Sequence, residues 1–110
     1  MHKALFPQAI LTIARLQSSD GSFPTISTEL SVVVGVDELT LRNSAPPMTY
    51  GENNEAIWAT AIAIAFFTKR LYEHVALWED KAEKARSFGS GVCKSAEGFD
   101  NIVQEALKLF

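Results

Sequence analysis

Along most of the chain apolar and polar positions alternate with a helical period, but residues 56–67, AIWATAIAIAFF, are apolar all round, with Thr60 the one exception in twelve. A stretch with no polar face has to be buried on every side. Asn53, Asn54 and Glu55 supply a cap and a first-turn acid ahead of it, and neither Gly nor Pro follows until Gly89. The run therefore predicts a helix from about residue 54 to Lys69 or Arg70. Ala59, Ala61, Ala63 and Ala65 keep several of its faces thin, so that neighbours can pack closely. Twelve residues span only ~18 Å as a helix, against the ~30 Å hydrocarbon core of a bilayer. The run predicts a core helix and no membrane span.

The flanking pattern predicts shorter elements around it. Residues 7–17 place Ile10, Ile13, Ala14 and Gln17 on one side of a helix that starts at Pro7. Ser18-Ser19-Asp20-Gly21-Ser22 is a sharp turn, and Phe23 after it plugs the core. Ser27 caps a helix over 28–34 that Gly35 ends; its three valines have strand propensity, but the spacing from cap to Gly suits two helical turns equally well. Asp37 caps another over 38–42, stopped by Asn43-Ser44-Ala45-Pro46-Pro47, and 48–52 is a loop.

Beyond the central helix, Leu71, Val75, Trp78, Ala82 and Ala85 repeat at spacings of four and three, an apolar seam on a charged helix. No breaker separates this helix from the central one. A bend at 71–74 is expected because a single rod of about 35 residues cannot fold back on a small core. Phe88-Gly89-Ser90-Gly91 is expected to end the amphipathic helix, leaving 89–94 as the flexible joint. Ser95 then caps a last helix, about 96–110, with Phe99, Ile102, Val103, Ala106 and Phe110 in a stripe. The expectation is an all-α domain over 1–110, a compact bundle of five or six helices around the central one, with no internal repeat.

Composition narrows the function classes. With 110 residues, 47% of them hydrophobic, seven Phe and two Trp, the chain suits one ordered domain. The net charge is −3 and the longest basic run is Lys69-Arg70, too little to neutralise phosphates, so nucleic acid is not an expected partner. A single cysteine, Cys93, allows no internal disulfide and fits a reducing compartment, so cytoplasm is the expected location. The first residues lack the continuous apolar core of a signal peptide, and no secretion is expected.

Candidate chemistry is sparse. Gly89-Ser-Gly-Val-Cys-Lys-Ser95 resembles a phosphate loop, but Cys93 and Phe88 stand where the glycines are required. Cys93 as a nucleophile needs a histidine, and only His2 and His74 exist; with one Cys and two remote His, a structural zinc site is not expected either. Glu79, Asp80 and Glu83 interleave with Lys81, Lys84 and Arg86 as a solvated face, Asp80 and Lys84 standing at i,i+4. Asp20 fits an Asp-Gly turn that bonds its own backbone. Pro46-Pro47-Met48-Thr49-Tyr50 resembles a WW-domain ligand with Tyr one position late, and reads as a stiff loop. No catalytic, cofactor or metal residue is assigned, and the protein-binding residues remain unassigned.

Three segments in order carry a family resemblance: Ile10–Gln17 (ILTIARLQ) with Asp20-Gly-Ser-Phe23, then Glu55–Phe66 (EAIWATAIAIAF), then Trp78–Arg86 (WEDKAEKAR). Together they resemble the C-terminal helical domain of proteins that combine a vault inter-alpha-trypsin (VIT) domain with a von Willebrand factor A domain. That set includes the vault poly(ADP-ribose) polymerase, whose C-terminal region is its vault-interaction region. The resemblance covers residues 10–87. Phe23 and Phe88 stand where the family tends to carry Trp, and the last twenty or so residues lie outside it. It implies a non-enzymatic interaction module, needing no cofactor, whose partner is the vault shell protein or a domain of a larger host protein. Two other readings stand beside it. Leu16-Gln17 to Phe23 also resembles the turn of α/α-toroid enzymes such as terpene cyclases and prenyltransferase β-subunits, whose aspartate-rich metal motif is absent. The Phe99–Phe110 stripe allows a purely structural or oligomerisation role, packing on this domain or on another copy, with the oligomeric state unassigned.

Overall fold

The all-apolar run organises the molecule as its pattern requires. In the computed structural model, which describes residues 2–110 and the side chains from Gln8 onward, residues 57–67 of one helix are each buried, eleven in succession. Six α-helices appear among the described residues: α1 (His2–Leu16), α2 (Thr28–Val34), α3 (Glu38–Asn43), α4 (Asn54–Arg70), α5 (Val75–Cys93) and α6 (Ala96–Leu107). The fold is an all-α bundle around α4. Packed against one another, α4, α5 and α6 make a three-helix group; α1 lies on α2 and α5, and α2 touches α3. The radius of gyration of 12.8 Å is close to the ~13 Å of a compact chain of this length.

Local chemistry sets the ends. Ser27 Oγ accepts from Leu30 N at 3.1 Å to start α2, Asp37 Oδ2 from Thr40 N at 3.0 Å to start α3, and Ser95 Oγ from Gly98 N at 3.0 Å to start α6. At the junction of α4 and α5 the expected bend is a 3-10 turn, Tyr72–His74. Each tryptophan bonds a backbone carbonyl, Trp78 sharing its acceptor with His74 N. Trp58 Nε1 donates to Leu41 O and Trp78 Nε1 to Leu71 O, both at 2.7 Å, so the indoles are satisfied while buried.

Four expectations need correction. Helix α1 begins at His2 rather than Pro7. Asn53 makes no side-chain cap for α4, because a 3-10 turn, Gly51–Asn53, runs straight into the helix; Asn54 Oδ1 instead accepts from Tyr50 N at 2.8 Å. Val75 leaves the apolar seam and is 42% exposed, since the three-residue turn at 72–74 breaks the 3.6-residue phase carried from Leu71. The Phe88-Gly-Ser-Gly91 stretch does not end α5. The helix runs through it to Cys93 and stops at Lys94, whose φ of 56° is left-handed, so 89–94 is no flexible joint. In the buried core, which holds Phe23, Trp58 and Trp78 together, Trp78 stacks on Phe67, centroids 5.2 Å apart, while Trp58, nine residues or ~13 Å of helix back along α4, faces α3.

The last helix spends its stripe inside the molecule. Phe99, Ile102, Val103 and Ala106 are buried against α4 and α5, and beyond the end of α6 Phe110 returns to meet Phe66 edge-to-face at 5.7 Å. Of the two ways that stripe was expected to pack, on this domain or on another copy, the structure has the first. No helix among the described residues is long and apolar enough to cross a membrane.

Candidate functional site

The residues that carry the family resemblance meet in one place. Gln17, half-buried beyond the end of α1, donates from Nε2 both to Gly21 O at 2.9 Å and to Lys81 O at 3.0 Å. The Asp-Gly turn is thereby tied to the backbone of α5. Ser18 N bonds Ser22 O at 2.8 Å across the turn, and Phe23 N donates to the buried Thr60 Oγ1 at 3.0 Å, which ties the turn to α4. The polar exception in the apolar run thus has a use: Thr60 receives the one N–H that Phe23 brings into the core. Gln17, Asp20, Gly21, Phe23 and Thr60 fix how three helices meet.

Asp20 accepts from Ser22 N at 2.9 Å and from Ser22 Oγ at 2.6 Å, bonds that hold its carboxyl below the ordinary 3.8. A carboxyl whose folded pKa is depressed adds stability above its unfolded value, and that stability drains away as pH falls through the lower folded value. Asp37, lowered in the same way by Thr40, shares the slope. Asp20→Asn is therefore expected to flatten, without abolishing, the loss of melting temperature as pH falls below about 4. The effect is small because Asp20 is exposed. Thermal melts across that range check it, and an unchanged slope rejects the assignment.

The remaining sequence candidates are scattered. His74 precedes the first residue of α5 and Cys93 is its last, ~28 Å away along the axis, so they form no nucleophile pair; the His2 side chain lies outside the described residues. The neighbour of Cys93 is Tyr50, whose phenol is raised above its ordinary 10.0 by hydrogen bonding to that thiol. Tyr50 is accordingly half-buried, and Pro46–Tyr50 is not displayed as a free ligand strand. Gly89–Ser95 is mostly helix. Among the described residues no group of three His, Cys, Asp or Glu is placed to hold a metal ion. Asp80, Glu83, Lys84 and Arg86 line a wide open groove beside Ser19 and Asp20, an exposed mixed-charge surface.

A site that sequence reasoning missed lies at the start of α4. A pocket of about 140 Å³ is walled by Ile26, Ala45, Met48 and Trp58, with Arg42, Asn54 and Glu55 at its edge. A clasp of ion pairs and hydrogen bonds shapes it. Glu55 Oε2 accepts from Ile26 N at 2.9 Å, and the Arg42 guanidinium donates to Ile26 O at 2.8 Å. The same guanidinium pairs with Glu55 and with Glu38, each at 3.3 Å, while Asn54 Nδ2 donates to Met48 O at 3.3 Å. The loop before α2, helix α3, the Pro-Pro loop and the start of α4 are thus held around one small apolar hollow. Each polar group at its edge has a protein partner. The sequence signals only the first-turn acid, Glu55; its pairing with Arg42 is a long-range contact with no motif.

Away from the pocket, Tyr72, Val75 and Leu77 expose large apolar surface at the α4–α5 corner, as do Val32 and Leu39 on the short helices. Comparison with protein-family models, with curated proteins and with solved structures returns no match.

Proposed function

We propose that the chain is a non-enzymatic protein–protein interaction module acting in the cytoplasm, akin to the C-terminal helical domain of VIT and von Willebrand factor A proteins. The observation that carries the reading is the pocket beneath the Pro-Pro loop: an apolar hollow whose edge groups are all paired, suited to receive a side chain. The residues behind the resemblance support it from a second side, because they are occupied in joining α1, α4 and α5 and leave recognition to the surrounding faces. The candidate partners are the vault shell protein and the domains of a larger host protein.

Calorimetric titration of the purified chain with the vault shell protein, and separately with VIT and A domains, tests the proposal. Saturable association with a Kd on the order of micromolar is expected with one of them. Absence of binding to all three overturns it, as does turnover of a prenyl diphosphate in the presence of Mg²⁺, which belongs to the toroid-enzyme reading.

A further inference from the structure

We infer that the pocket between Ile26, Ala45, Met48 and Trp58 seats one aliphatic side chain of the partner protein, and that the partner residue next to it is an arginine or lysine. The inference rests on the interaction-module reading and names the chemistry of its ligand. The size argues for one side chain, since about 140 Å³ is close to the ~150 Å³ void that takes up a single benzene-sized molecule. The lining argues for an apolar one. Trp58 Nε1 is committed to Leu41 O, Asn54 to Tyr50 N and Met48 O, and the clasp to Ile26, so a polar group brought inside loses its hydration and finds no unpaired donor among them. Met48, unbranched and adaptable, lets the wall fit side chains of slightly different shape.

The rim argues for the neighbouring cation. Glu38 and Glu55 place two carboxylates on the single Arg42 guanidinium, which leaves one negative charge beside the opening. All three side chains are about two-fifths exposed (41%, 39% and 39%), so an incoming cation can reach them at an edge that water still screens. The attraction selects the neighbouring residue while the buried side chain supplies most of the affinity.

Acetyl-Gly-Leu-Arg-Gly-amide, its Leu-Glu counterpart and benzene, each titrated into the full chain, test this by NMR. The Leu-Arg peptide and benzene are expected to shift the Trp58 indole N–H and the Met48 methyl signals, the peptide saturating in the millimolar range. The Leu-Glu peptide should bind about two- to fivefold more weakly, a difference that high salt erases. Ala45→Leu, and independently Met48→Trp, should abolish the shifts while the helical circular dichroism persists. Glu55→Gln keeps an acceptor for Ile26 N and should lose the preference for arginine, so that the two peptides bind it equally. Shifts centred elsewhere, equal binding of the two peptides, or shifts that survive both filled-pocket variants overturn the inference. If the protein partner binds Ala45→Leu as well as the unaltered chain, the pocket is rejected and the module reading stands. If the Leu-Arg peptide binds as described and none of the three proteins does, the chemistry of the pocket stands and the proposed function falls.

Discussion

Gly21→Ala is expected to lower the folding free energy by about 3 kcal/mol or more, a large share of the ~5–15 kcal/mol that holds a small domain together. Two independent penalties add. The residue sits at φ +93°, where an L side chain costs about 1–2 kcal/mol, and a Cβ built there falls 2.2 Å from Lys84 O and 2.6 Å from its carbonyl carbon. Those atoms belong to the backbone of α5, so the turn has to lift away from the helix. Lifting it stretches both bonds from Gln17 Nε2, to Gly21 O and to Lys81 O, each worth about 1 kcal/mol. Gly35→Ala separates the two penalties: φ there is +78° with nothing within 4 Å of the added carbon, so it should cost only the conformational part, about 1 kcal/mol. Urea denaturation of both variants is the measurement. Equal losses for the two would mean that the turn does not press on α5.

The Gly21 contact also marks where sequence reading stops. Ser18 to Ser22 was legible as a turn because Asp, Gly and Ser each have a local reason to be there. The surface that the turn presses on consists of the Lys81 and Lys84 carbonyls, which carry no side-chain signature. The central helix was legible to within about a residue at each end, since an all-apolar run flanked by polar residues has only one way to be buried. Its partners were not. No local pattern says that Trp78 stacks on Phe67 while Trp58, ~13 Å back along the same helix, turns to α3. Val75 fitted the four-three spacing and is exposed because the 3-10 turn ahead of it resets the phase. For the candidate site the sequence showed only fragments: Glu55 as a first-turn acid, Pro46-Pro47 as a stiff loop, Trp58 as core. What makes them a pocket is Arg42 reaching Ile26 and Glu55 together, a pairing set by tertiary packing.

Gly89 shows how a residue type misleads when its role is a close approach, and the same contact gives the second large effect. Inside α5, replacing Gly by Ala should by helix propensity alone add about 1 kcal/mol of stability. Here a Cβ meets the Phe99 ring at 2.3 Å from both Cδ1 and Cε1, and that ring is fully buried with no free direction in which to turn. Relief requires prying α6 off α5, so Gly89→Ala is expected to destabilise by about 2–3 kcal/mol. Phe99→Ala alone should cost about 3–5 kcal/mol through the cavity it leaves. Combined, the two changes should not add. Without the ring the new methyl enters empty space, and Gly89→Ala in the Phe99→Ala background becomes stabilising by up to about 1 kcal/mol. The double-mutant cycle then closes with an interaction energy of about 3 kcal/mol, read from denaturation midpoints and slopes of the four proteins. A Gly89→Ala variant more stable than the parent would show that Gly89 is only a weak point in the helix and that α6 packs elsewhere. A loss that persists without Phe99 would place the obstruction on a different neighbour.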